Sequence, residues 1–92
     1  MKFVSTRGGE SVTGAEAIIK GIASDGGLFV PESFPKISDE EMQAMLEMDY
    51  SERVAAVLCK LFDWLDKEEL LTALQEAYSR FEGDPAPLVR ID

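Results

Sequence analysis

The chain has 92 residues, 46% of them apolar, and a mean hydropathy of −0.06, a composition that fits one folded domain and argues against disorder. Eighteen acidic residues against nine basic ones leave a net charge of −9, which disfavours nucleic acid and anionic membrane as partners, because both are held mainly through cations. With no histidine, imidazole triads and His-ligated zinc are excluded, and with Cys59 as the single cysteine no intramolecular disulfide can form.

Taken in chain order, Lys2–Val4 reads as a brief strand, with Phe3 and Val4 as β-favouring residues, and Arg7-Gly8-Gly9 as the turn that ends it. Thr13-x-x-Glu16 is a capping-box signature for a first helix. Ala15, Ile18, Ile19 and Ile22 follow at helical spacing and predict an inward apolar stripe. Gly21 weakens that helix and Asp25-Gly26-Gly27 stops it. Leu28-Phe29-Val30 then reads as a short strand, and Pro31 and Pro35 bracket an extended stretch.

Three more helices follow. Ser38-x-x-Glu41 caps one with Met42, Met45 and Leu46 inward, and Ser51 caps the next with Val54, Val57, Leu58, Leu61 and Phe62 inward. Asp66-x-x-Glu69 opens the last, with Leu70, Leu71, Leu74, Ala77, Tyr78 and Phe81 inward and Gly83 placed as its closing glycine. Trp64 is expected to plug the junction between two helices. The predicted fold class is α+β, mostly α: about four helices with one or two short N-terminal strands or a hairpin, in a single small domain. Residues 1–83 form that domain. Asp84-Pro85-Ala86-Pro87 reads as a rigid spacer in a terminal segment, 84–92, whose Leu88-Val89-Arg90-Ile91 starts a strand-like alternation leading out of it.

The residues offer little reactive chemistry. The acidic pairs Glu40-Glu41 and Glu68-Glu69 fall in first helical turns, where the helix dipole favours negative charge. Asp63-x-x-Asp66-x-Glu68 lacks the glycine and spacing of a calcium loop. Gly21-x-x-x-x-Gly26 continues with Gly27 and Leu28 where a phosphate loop needs lysine and a hydroxyl. Cys59 sits in an apolar run without a neighbouring base, as an inert thiol does. No catalytic, cofactor-binding or metal-ligating residue is expected. No apolar run approaches the ~20 residues of a membrane span and no signal-peptide core opens the chain, so a cytoplasmic protein is expected.

The turns are more specific. Val4-Ser5-Thr6-Arg7-Gly8, then Gly21-Ile22-Ala23-x-Asp25-Gly26-Gly27-Leu28-Phe29-Val30-Pro31-Glu32, then Phe34-Pro35, resemble the amino-terminal domain of the threonine synthase family, with Ile22 where the family usually has leucine. Ala77-Tyr78-Ser79-x-Phe81 and Pro87-Leu88-Val89 are similar in rhythm. The resemblance implies a parent chain that is a lyase of threonine biosynthesis, using pyridoxal 5'-phosphate to convert O-phosphohomoserine and water to threonine and phosphate. The family's cofactor lysine lies in a His-Gly-Pro-Thr … Phe-Lys-Asp segment, which these 92 residues lack. The implied role is therefore a non-catalytic domain that binds no cofactor itself and is partnered by the pyridoxal-phosphate-binding domain of the same full-length chain. Ser5, Thr6, Arg7, Asp25, Gly26 and Gly27 are the expected cleft-facing loops, with Arg7 the one residue suited to phosphate or carboxylate. The competing expectation is a free-standing acidic helical module that binds other proteins.

Overall fold

The computed structural model describes all 92 residues. Its elements are β1 (Lys2–Ser5), β2 (Ser11–Thr13), α1 (Gly14–Lys20), β3 (Phe29–Pro31), α2 (Asp39–Leu46), α3 (Tyr50–Leu61) and α4 (Lys67–Tyr78). The class is α+β, as expected. The chain divides into two compact units, one of residues 1–36 with 60–64, the other of residues 37–59 with 65–92.

In the first unit β1 is the central strand of an antiparallel sheet of order β2-β1-β3. Alternation along β1 turns Phe3 and Ser5 inward, and the register sets Phe3 opposite Val12, so the two bury together. Pro31, which has no N–H to give to a ladder, ends an edge strand where none is needed on the open side. Phe3, Val12 and Ala17 form the core, with Met1, Phe29 and Phe62 packed on it. Phe3 and Phe62 stack with ring centroids 5.3 Å apart and planes 7° apart. That stack requires Gly14: a Cβ there would lie 2.8 Å from Phe62 Cδ1, 3.2 Å from Trp64 Nε1 and 3.3 Å from Phe3 Cε2.

Helix α1 corrects the predicted stripe. Thr13 caps it, accepting from the Glu16 N–H at 3.2 Å, and Gly21 at φ 73° ends it after only seven residues. Its buried residues are Gly14 and Ala17, whereas Ile18, Ile19 and Ile22 are 61%, 84% and 63% exposed. Small residues at i and i+3 let the backbone come close to the sheet, and that choice of face rotates the isoleucines outward. Trp64 does not plug a helix junction either. It meets Phe62 edge-on at 6.4 Å over Gly14 and is half-exposed.

In the second unit the caps carry much of the local order. Ser38 and Glu41 complete a capping box on α2, each side chain bonded to the other's N–H at 3.1 and 3.2 Å. Ser38→Ala is expected to cost about 1 kcal/mol in a urea titration, a visible loss because α2 has no buried residue to compensate. Met45 is half-buried, but Met42 and Leu46, predicted inward, are exposed. Helix α3 starts one residue before its predicted cap. Asp49, not Ser51, accepts from the Glu52 N–H at 2.9 Å, and Ser51 is a buried residue of the first turn. Asp66 caps α4 as expected. That helix ends at Tyr78, which leaves Phe81 exposed and Gly83 in a later turn at φ 76° rather than at the helix end. Ala77, also predicted inward, is exposed. Tyr78 meets Tyr50 edge-on at 5.2 Å. No strand forms in residues 84–92, and Leu88, Val89 and Ile91 are exposed. No helix is long and apolar enough to cross a membrane.

Candidate functional site

Ser5, at the end of β1, is the start of a concentrated polar network in the first unit. Gly8, at φ 79°, lets the chain reverse after Arg7, with the Gly8 N–H donating to the Ser5 carbonyl at 2.9 Å. A second loop comes alongside. Ala23 N–H donates to the Gly27 carbonyl and Gly26 N–H to the Ala23 carbonyl, both at 2.9 Å, with Gly26 at φ 84°. Thr6 ties the two loops together: its N–H donates to the Leu28 carbonyl at 2.9 Å, and its hydroxyl oxygen accepts from the Leu28 N–H at 3.0 Å.

Asp25 is the hub. Its carboxylate accepts from the Ser5 hydroxyl at 2.6 Å, the Gly27 N–H at 2.9 Å and the Gly9 N–H at 3.0 Å. Its own carbonyl accepts from Arg7 Nη1 at 2.9 Å, and Ser5 Oγ accepts in turn from the Arg7 N–H at 3.1 Å. All six candidate residues thus meet in one clasp. Gly27 is buried there because its missing Cβ is the space in which the bonds form: a Cβ would collide with Ser5 Oγ and lie 3.0 Å from both Asp25 Oδ1 and Thr6 Oγ1. At Gly26 a Cβ would lie 2.8 Å from Arg7 Nη1.

The electrostatics make this a structural clasp rather than an acid–base pair. The Ser5 hydroxyl, then the Gly27 N–H, the Gly9 N–H and the Arg7 charge hold the Asp25 carboxyl below its usual range. At neutral pH Asp25 is therefore an anion already holding three donors, and Ser5 is committed as one of them. Neither matches the nucleophile–base arrangement in which a base with a pKa near working pH takes a proton. Arg7 is exposed, with one terminal nitrogen bonded to the loop, so the clasp presents a guanidinium to whatever lies outside it.

A depressed carboxyl pKa contributes stability above its unfolded value and loses it as pH falls through the folded value. Asp25 should therefore make the first unit acid-sensitive, its contribution lost as pH falls through and below the ordinary aspartate range. In urea titrations Asp25→Asn should lower stability at neutral pH and flatten that acid limb. A limb unchanged by the substitution would mean that the carboxylate does not hold the loops.

One neighbouring group escaped the sequence reading. Glu10 pairs with the Lys20 ammonium and accepts from the Ser24 N–H at 2.9 Å, and Lys20 first, then Ser24, pulls its carboxyl below the usual range. Nothing in the spacing of residues 10, 20 and 24 announces this pairing. In the second unit, an open depression of about 270 Å³ is lined by Asp49, Tyr50, Tyr78 and Asp84 among others, but Asp49 is already occupied as a helix cap. No group of three or more His, Cys, Asp or Glu side chains is placed so that it could hold a metal ion.

The comparisons agree on one family. Threonine synthase from Methylobacillus glycogenes is 33% identical over 79 residues, which cover 85% of this chain and 17% of that protein. The crystal structure of pyridoxal-phosphate-bound threonine synthase from Brucella melitensis superposes with a TM-score of 0.88 and 34% identity, covering all of this chain and 20% of that one. The Escherichia coli threonine synthase structure gives 0.84 and 29%, covering all of this chain and 21% of that one. The chain thus spans about a fifth of the length of the relatives it matches. The family profile described as "Threonine synthase N terminus" matches residues 2–78, and by that match and this fold the chain belongs to the threonine synthase N-terminal family.

Proposed function

We propose that this chain is the non-catalytic amino-terminal flank of a pyridoxal-phosphate-dependent lyase that converts O-phosphohomoserine and water to threonine and phosphate. The agreement that carries the reading is the superposition of every residue here, at a TM-score of 0.88, on one-fifth of a threonine synthase that binds the cofactor. Residues 1–83 are the flanking domain and 84–92 the linker into the cofactor-binding domain of the same full-length chain. The half-buried free thiol of Cys59 fits a reducing cytoplasm.

The residues present do not fit the cofactor. A Schiff-base lysine needs a neutral amine in a desolvated pocket. Here Lys20 is paired with Glu10, Lys60 donates to the Lys36 carbonyl at 3.1 Å, and Lys2, Lys36 and Lys67 lie exposed. What this chain supplies is shape and one oriented cation. The clasp of Ser5, Thr6 and Arg7 with Asp25, Gly26 and Gly27 borders the substrate cleft in this reading, with Arg7 directed to phosphate or carboxylate.

Two measurements test it. The purified chain should give no new Schiff-base absorbance with pyridoxal phosphate and release no phosphate from O-phosphohomoserine. Turnover by the chain unaided would overturn the reading. In a threonine synthase carrying this domain, Arg7→Ala should raise KM or lower kcat with the fold intact, and unaltered kinetics would remove Arg7 from the cleft.

A further inference from the structure

We infer that Ile18, Ile19, Ile22 and Leu28 form the seam by which this domain docks onto the cofactor-bearing remainder of a threonine synthase chain. The inference rests on the functional reading above. Ile18 and Ile19 lie on the outer side of α1, and the turn at Gly21 brings the next isoleucine, Ile22, into an isolated antiparallel bridge with Leu28. Bridged residues stand side by side, so Ile22 and Leu28 share one exposed apolar surface, reached by a single turn of chain from Ile18 and Ile19. The four are 61–84% exposed, in a unit whose fully packed positions go to Phe3, Val12, Ala17 and Ala23.

Helix propensity does not explain two adjacent isoleucines at the end of α1, because β-branched residues are mediocre helix formers. Their presence makes sense as surface that is buried elsewhere. Exposed Glu16 and Lys20 flank the two isoleucines in sequence along α1, and the Lys20–Glu10 pair with its bond to the Ser24 N–H supplies polar neighbours of the kind an interface carries at its edge. The occupant is indicated by the comparison. This fold is kept across its whole length within chains about five times longer, and the additional four-fifths is the surface available to cover the patch. Because Thr6 is bonded to Leu28 in both directions, docking there would also fix the clasp that carries Arg7.

The test is thiol accessibility. Ile19→Cys is made in a Cys59→Ala background, both in this chain alone and with this chain spliced in place of the matching fifth of the Brucella melitensis enzyme. Glu40→Cys, on exposed α2, serves as the reference, and circular dichroism checks the folding of each protein. The expected result is a spliced enzyme that releases phosphate from O-phosphohomoserine, with maleimide labelling at position 19 slowed about tenfold or more relative to the isolated chain while position 40 is unchanged. An active spliced enzyme in which position 19 reacts as fast as in the isolated chain overturns the seam and leaves the functional reading intact. A spliced enzyme that fails to fold or to turn over, beside a folded isolated chain, overturns both.

Discussion

Gly27→Val is expected to unfasten the clasp and lower the melting temperature of the chain more than a change at any other glycine of the two loops. Overpacking a tight site costs about 1–3 kcal/mol, and in a domain of this size each kcal/mol lowers the melting temperature by about 4–8 °C. The cause is proximity and not backbone angle. Gly27 is outside the left-handed region, but its Cβ would stand where Ser5 Oγ, Asp25 Oδ1 and Thr6 Oγ1 converge. The side chain can enter only by displacing the Ser5–Asp25 bond, the shortest in the network, and with it the alignment of Arg7. Gly8→Ala provides the contrast. Gly8 has φ 79° with nothing within 4 Å of a Cβ, so it should lose only the left-handed strain, about 1–2 kcal/mol, and keep the clasp. Amide signals of Gly9 and Leu28 would report which has happened. A Gly27→Val protein that melts with the parent and keeps those signals would show that the loops are not held by this close approach.

What could be read in advance follows the range over which each signal acts. Caps are local chemistry, so Thr13, Ser38 and Asp66 were legible from three-residue spacing. The Asp49-x-x-Glu52 box is equally legible, but Ser51, a good cap type two positions further on, competes with it for the prediction. The direction of α1 was not legible. A stripe of isoleucines marks a surface that is buried somewhere, and periodicity cannot say whether the covering surface belongs to the same fold. The small residues Gly14 and Ala17 won the near face because Phe3 and Phe62 already fill the space above it. Likewise β2 is three residues long and had no pattern of its own; it exists because Val12 has Phe3 to pair with. The candidate loops were found through a resemblance. What the turn residues alone could not reveal is that Asp25 would collect three donors from both loops, since those contacts span 2, 16 and 20 positions in sequence.

Phe3→Ala carries the largest expected effect, because the first unit is organised around one ring. Phe3 is 6% exposed, occupies the centre of the central strand and faces Val12 across one ladder and Phe62 through the stack. Truncating a buried phenylalanine costs about 3–5 kcal/mol, and a chain of this length has a total stability of only about 5–14 kcal/mol by the usual per-residue range. The lower end applies here, since no large side chain in the chain is fully buried. The variant should therefore leave the first unit largely unfolded at room temperature, whereas Phe3→Leu, which keeps most of the volume, should lose less than about 1.5 kcal/mol. Trp64 is the only tryptophan and sits edge-on to Phe62, so its fluorescence reports this packing directly. The expected spectrum for Phe3→Ala is red-shifted and insensitive to urea, and for Phe3→Leu it is near that of the parent with an earlier midpoint. If Phe3→Ala kept the parent's emission and midpoint, the stacked pair would not be what holds the sheet to Gly14 and Ala17, and the platform from which the Asp25 clasp projects would have to be anchored elsewhere.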